Sequence, residues 1–184
     1  MKLVIGTANF LNHYGFKNKR IDEKEVKKIF SFCKKNKINH IDTAFSYDSF
    51  RLIKKVKFKD FKISSKINFK KNSDSSYKIN DYLSLFNDRI KELKIQNFET
   101  FFIHNFDDIP RKDLVVVMEI MKILKNKKLI NKIGISIYDE KSLKKTLKFN
   151  FIDTIQVPLN LSDRRFLNKK YLDYLKKKKI NIQA

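Results

Sequence analysis

Four polar residues fall at or just beyond the ends of short apolar runs, where a side chain is held firmly and still faces a cleft. Asp42 lies in His40-Ile41-Asp42-Thr43-Ala44 and Tyr47 follows shortly after it. Lys66 closes Ile63-Ser64-Ser65-Lys66, and His104 closes Phe101-Phe102-Ile103-His104. A carboxylate, a phenol, an amine and an imidazole together make a proton-transfer set. A free tyrosine has a pKa of about 10, so a nearby ammonium must stabilise the phenolate before the hydroxyl can trade protons near neutrality. Each residue alone has a plainer reading. Asp42 could tie a loop to backbone N–H groups, Tyr47 could be a packing aromatic, and His104 could be a satisfied core histidine. With 42 Lys and Arg in the chain, a lysine beside a strand end is expected by chance. The combination carries the argument.

Such a set needs elements that bring distant residues together. Short apolar runs alternate with longer amphipathic ones, the order of a parallel sheet joined by helices. Strands are expected at Lys2 to Thr7, Ile38 to Ala44, Phe61 to Ile67, Thr100 to His104, Lys132 to Ile137, Thr154 to Pro158 and Ile180 to Gln183. Helices are expected over Asp22 to Lys37, Asn80 to Lys94, Leu114 to Lys127, Glu140 to Lys148 and Asn168 to Lys178, with a loop and short helix around Tyr47 to Lys57. The first helix has an acidic start at Asp22, Glu23 and Glu25 and a lysine-rich end, both suited to the helix dipole. Val26, Ile29, Phe30 and Cys33 recur along it at the spacing of a buried face, as do Leu83, Phe86, Ile90 and Leu93 along the second.

No G-x-G-x-x-G turn follows any strand, and the chain holds 3 glycines, which argues against a Rossmann sheet. The pattern fits the α/β class as a (β/α)8 barrel of TIM type, whose active sites lie at the carboxyl ends of the strands. Residues 1–184 are read as one domain with a continuous core. A full barrel takes about 250 residues, so this one is read as incomplete, with about seven strands present and strand eight and the last helices missing.

The formal charge of +22 raises nucleic acid as a partner, because lysine and arginine displace counterions from phosphate. The lysines are spread along the chain beside abundant Asn, Ile and Phe, and no nucleic-acid motif accompanies them, so specific nucleic-acid binding is set aside. Lys176 to Lys179 reads as a solvated helix end, and the charge suits attraction of a phosphorylated cofactor. Cys33, the single cysteine, cannot form an internal disulfide and has no partner for a zinc site, so no metal is expected. No apolar run reaches the roughly 18 residues that span a bilayer, and the amino terminus lacks a cleavable signal pattern. A cytoplasmic protein without a membrane partner is expected.

The same residues resemble the aldo-keto reductase family, from Leu3 to the last residue. Ile5-Gly6-Thr7-Ala8 is similar to its first strand, and Ile41-Asp42-Thr43-Ala44 with Tyr47 resembles its Asp-Thr-Ala-x-x-Tyr motif. Ser65-Lys66 and His104-Asn105 fall at its other two catalytic positions. Ile133-Gly134-Ile135-Ser136-Ile137-Tyr138 and Asp153-Thr154-Ile155-Gln156-Val157-Pro158-Leu159-Asn160 look like its strands five and six. The resemblance implies that Tyr47 protonates a carbonyl oxygen while hydride arrives from NADPH, or alternatively NADH. Lys66, held by Asp42, would lower the tyrosine's pKa, and His104 would orient the carbonyl. Ser136 and Gln156 would hold the nicotinamide amide, with Gly6 and Thr7 near the cofactor; Gln156 could instead satisfy strand backbone.

Two positions depart from the family pattern. Asp48 stands where many members have glycine, and Ile137 where asparagine often follows the strand-five serine. The substrate implied is a small-molecule carbonyl, sugar-related by the bacterial branch that the Ser-Ile-Tyr and Gln-Val-Pro-Leu-Asn-Leu stretches resemble. The family continues past the position of Ala184, which implies open edges on strands one and seven and self-association through them. The alternative is a catalytically inactive barrel remnant or binding module.

Overall fold

Isoleucine and phenylalanine alternate with small or polar residues along the strands, and this period of two gives the sheet two unlike faces. The computed structural model describes residues 2–11, 21–47, 49–50, 61–71 and 76–184. Its strands are β1 (Ile5–Gly6), β2 (His40–Asp42), β3 (Lys62–Ile67), β4 (Phe98–Ile103), β5 (Ile130–Ser136), β6 (Thr154–Gln156) and β7 (Asn181–Gln183). The described residues include the α-helices α1 (Glu23–Lys35), α2 (Ile79–Leu93), α3 (Arg111–Asn126), α4 (Glu140–Thr146) and α5 (Lys169–Lys177), with short 3-10 turns at Phe106–Asp108 and Arg165–Leu167. All strand pairs are parallel and the order is β1-β2-β3-β4-β5-β6-β7, the open form of a (β/α)8 barrel with β1 and β7 at its edges.

One register row runs Ile5, Ile41, Ile63 and another Ile67, Ile103, Ile135, Ile155, Ile182. Except for the exposed Ile182 at the β7 edge, these apolar rows share one core cluster with helix residues Phe30, Phe86, Val117 and Met121, which places the helices on that face. The opposite rows are Gly6, Asp42, Ser64 and Lys66, Phe102, Gly134, Thr154, Asn181. The barrel interior is therefore mostly polar, with the Phe102 ring as its apolar filling. Gly134 makes room for that ring: a Cβ added there would overlap Phe102.

Local signals set the helix ends. The Asp22 carboxylate accepts from the Glu25 N–H at 2.8 Å while the Glu25 side chain accepts from the Asp22 N–H at 3.3 Å, a reciprocal cap for α1. Val26, Phe30 and Cys33 are buried on that helix, and burial pushes the Cys33 thiol up in pKa. Helix α2 packs the expected face, Leu83, Phe86, Ile90 and Leu93, on the core and adds Tyr82 to it. Tyr82, Phe86 and Leu93 are buried, whereas Leu83 and Ile90 are half-buried. The Tyr82 hydroxyl donates to the Lys70 carbonyl at 2.9 Å, so the phenol is satisfied inside.

Several strands are shorter than their apolar runs. Leu3 is exposed and β1 pairs only at Ile5 and Gly6; β6 ends before Pro158, which has no N–H for the ladder. The short helix expected around Tyr47 to Lys57 lies largely outside the described residues, as does Asp48. Lys37, Lys94, Lys128 and Lys179, each at the end of a helix, adopt φ between 53° and 58°, where glycine is usual.

Two stability changes follow. Gly134→Ala should lower stability by about 1–3 kcal/mol through overpacking against Phe102, read as a lower urea midpoint. Combining it with Phe102→Leu should recover part of the loss; an unchanged midpoint in Gly134→Ala would contradict the close approach. Lys128→Gly should raise stability by about 1 kcal/mol by removing the left-handed strain of a side-chain-bearing residue, whereas Lys128→Val should lower it.

Candidate active site

At the carboxyl ends of the strands the main-chain ladder continues beyond the strands themselves. The N–H groups of Thr7, Thr43 and Phe45 donate to the carbonyls of Asp42, Ser64 and Lys66, each at 3.0 Å. His104 N–H donates to the Ile67 carbonyl, Ile137 to Gln156 and Val157 to Gln183, each at 2.9 Å. Residues on this rim are thus fixed by backbone.

Asp42 on β2 and Lys66 on β3 point to the same side of the sheet, because Asp42 is in register with Ser64 and Lys66 lies two residues further on. Their side chains meet at 2.7 Å, Lys66 Nζ donating to Asp42 Oδ2. Both residues are buried, at 4% and 9% exposure. The Phe102 ring lies 5.9 Å from the ammonium. Gln156 reaches the same pair from β6: Lys66 Nζ donates to its Oε1 at 2.7 Å, and its Nε2 donates to Asp42 Oδ2 at 3.3 Å. A buried ammonium needs a counter-charge and further acceptors, and these two residues supply both.

Tyr47 is held by its flanks. Its N–H donates to the Ala44 carbonyl at 3.1 Å and its carbonyl accepts from Phe50 N–H at 3.0 Å. Phe45 packs against Phe50, Phe86, Phe98 and Phe101, and the Arg89 guanidinium lies over both Phe45 and Phe50. The half-buried Tyr47 ring meets His104 edge-on, with centroids 6.4 Å apart. His104 follows β4 directly, and the next residue, Asn105, clamps Phe69 by accepting its N–H at 2.8 Å and donating to its carbonyl at 3.1 Å. Burial holds His104 below the usual histidine pKa, and the Lys66 ammonium pushes the same way against the opposing Asp42 carboxylate. His104 Nδ1 and Asp42 Oδ1 are buried and have no hydrogen-bond partner among the described residues.

The four residues marked for chemistry thus lie at one mouth, joined as two contacts: Asp42 with Lys66, and Tyr47 with His104. Gly6 is in register with Asp42, and the Thr7 hydroxyl donates to the Asp42 carbonyl at 3.1 Å. Ser136 is buried beside Gln156 across the β5–β6 pair. Among the described residues the side chain of Gln156 bonds the ion pair and not strand backbone. Nor does the Asp42 carboxylate tie down backbone N–H groups among the described residues. Sequence reasoning missed Phe45, Phe50 and Arg89; the two phenylalanines flanking Tyr47 were the available signal.

A separate cavity of about 660 Å³ opens at the amino ends of β3 and β4. Its Glu99 is already paired with Lys132 at 2.8 Å and Lys62 at 3.7 Å, and the four-residue set is at the other end of the strands.

Several solved structures share this fold. A Pseudomonas aeruginosa protein assigned to the aldo-keto reductases superposes with a TM-score of 0.74 at 20% identity, over 97% of this chain and 70% of that one. The holo form of an aldo-keto reductase from Bacillus halodurans gives 0.73 at 18% identity, over 98% and 60%. One from Klebsiella pneumoniae in complex with NADPH gives 0.71 at 16% identity, over 98% and 62%. This chain thus spans about 60 to 70% of the length of these structures. No curated protein matches it in sequence. The family model of the aldo/keto reductases matches residues 2–184. A match over nearly the whole length, joined to the parallel-strand barrel and its mouth, establishes that the chain belongs to the aldo/keto reductase family.

Proposed function

We propose that this barrel mouth reduces the carbonyl group of a small molecule, with Tyr47 as general acid and a reduced nicotinamide cofactor as hydride donor. The observation that carries the reading is the buried Asp42–Lys66 pair at 2.7 Å on the rim that also holds the Tyr47–His104 contact. The cofactor, when bound, supplies hydride to the carbonyl carbon. Tyr47 gives its phenolic proton to the carbonyl oxygen, so the product is an alcohol and the tyrosine is left as phenolate. The Lys66 ammonium stabilises that phenolate, and Asp42 holds the ammonium in place at 2.7 Å. His104, held neutral by its surroundings, donates a hydrogen bond to the carbonyl oxygen and fixes its orientation.

The residues present fit a nicotinamide. A glutamine amide has two N–H donors and two acceptor lone pairs, and the ion pair engages one N–H and one face of the oxygen in Gln156. The remaining donor and lone pair match a primary carboxamide, with the neighbouring Ser136 hydroxyl as a further contact; Gly6 and Thr7 border the same rim. NADPH is the favoured form, since the charge of +22 suits an added phosphate and the Klebsiella pneumoniae structure is a complex with NADPH. A sugar-derived aldehyde belongs among the first substrates to test.

Tyr47→Phe should lower turnover of a model aldehyde by about 10²–10⁴ while leaving the fluorescence response to NADPH intact. Unchanged turnover would remove Tyr47 from the chemistry, and no response to either NADPH or NADH would remove the cofactor. A second expectation concerns pH. His104 in the folded chain resists protonation, so stability present above about pH 6.5 is lost as pH falls through its depressed folded pKa. His104→Gln removes that loss, so its stability relative to the parent should improve between pH 7.5 and pH 5; equal urea midpoint differences at both pH values would contradict it.

A further inference from the structure

Gln156 and Lys66 are distant in the sheet. β6 and β3 are separated by two intervening strands, so the 2.7 Å bond from Lys66 Nζ to Gln156 Oε1 crosses the barrel interior. Its atoms are assigned by chemistry, because an ammonium only donates and a carboxylate only accepts. The atom facing Lys66 must be the amide oxygen, and the atom facing Asp42 Oδ2 must be the amide nitrogen, as the 2.7 Å and 3.3 Å contacts have it. Three side chains from β2, β3 and β6 therefore close a ring of hydrogen bonds around one charge.

The ring constrains the ammonium more than the ion pair does. With Asp42 alone, Lys66 could pivot about one contact on a flexible four-carbon stem. Two acceptors on different strands fix the direction of its remaining N–H. We propose that Gln156 is a positioning residue for Lys66: its amide holds the ammonium in the orientation from which its third N–H serves the Tyr47 phenol, in the cofactor-free protein as well as the loaded one. This rests on the Tyr47–Lys66 pairing of the proposed function and adds to Gln156 a duty separate from holding a carboxamide. One residue then touches both the proton-supplying pair and the hydride-donor site, so that occupancy of the second is felt at the first.

The test is the titration of Tyr47 without cofactor. The chain is labelled with ¹³C at the tyrosine Cζ, and the Tyr47 signal is identified by its loss in Tyr47→Phe. Gln156→Leu should raise the Tyr47 midpoint by about one pH unit and Lys66→Met by more, since an opposite charge nearby is worth about 1–3 units. Gln156→Asn, which keeps the amide but shortens its reach, should fall between parent and Gln156→Leu, and it decides alone if the leucine variant fails to fold by circular dichroism. A midpoint unmoved in the Gln156 variants but raised in Lys66→Met overturns the proposal and leaves the amide to the cofactor. Midpoints unmoved in all three overturn both the proposal and the Tyr47–Lys66 pairing. A shifted midpoint in a chain that gives no fluorescence response to NADPH supports the positioning role while the cofactor reading fails.

Discussion

The buried ammonium of Lys66 is the constraint on which the rest of the mouth depends. Taking a charge out of water costs several kcal/mol after relaxation, and the chain offsets this with one carboxylate and one amide, from β2 and β6. Removing a single partner from a buried pair costs about 3–5 kcal/mol, so the pair also fixes how β2 and β3 are staggered. A slip of one residue would turn Asp42 to the helix-facing side and strand Lys66 in the interior.

That stagger is shared by both faces of the sheet. The register that aligns Asp42 with Ser64 also aligns Ile41 with Ile63, and the same holds along Ile103, Ile135 and Ile155. Helix packing on the apolar side and the hydrogen-bond ring on the polar side therefore demand one and the same alignment. Phe102 is the apolar member of the interior row that starts at Lys66. Its ring occupies the space left by Gly134 and gives Lys66 an apolar floor, which limits water access to the ammonium.

Periodicity made the sheet legible in the sequence, because each apolar run is a separate signal and their order alone implies parallel crossovers. The acidic start of α1 was legible as a match to the helix dipole, whereas the reciprocal bonding of Asp22 and Glu25 emerged only with the structure. Strand ends were less so: Pro158 marks one chemically, but the short pairing of β1 depends on where β2 lies. At the mouth, Asp42, Tyr47, Lys66 and His104 stood out as polar residues beside apolar runs. The interior contact of Gln156 with Lys66 spans 90 residues and has no local signal at all. The support of Tyr47 by Arg89 was hidden for the same reason, since cation–π contacts depend on which helix face meets which loop.

The scarcity of glycine separates two demands that this residue usually meets together. Where only a backbone angle is needed, as at the exposed helix ends, the chain uses Lys37, Lys94, Lys128 and Lys179 at positive φ and bears a strain of roughly 1 kcal/mol at each. Where space is needed, no such substitution works. Gly134 lies against a buried aromatic ring, and any side chain there would displace the floor beneath Lys66. Strain is thus tolerated on the helix side, where a few tenths of an ångström change nothing chemical. On the interior side, an equal shift would move the ammonium away from both of its acceptors.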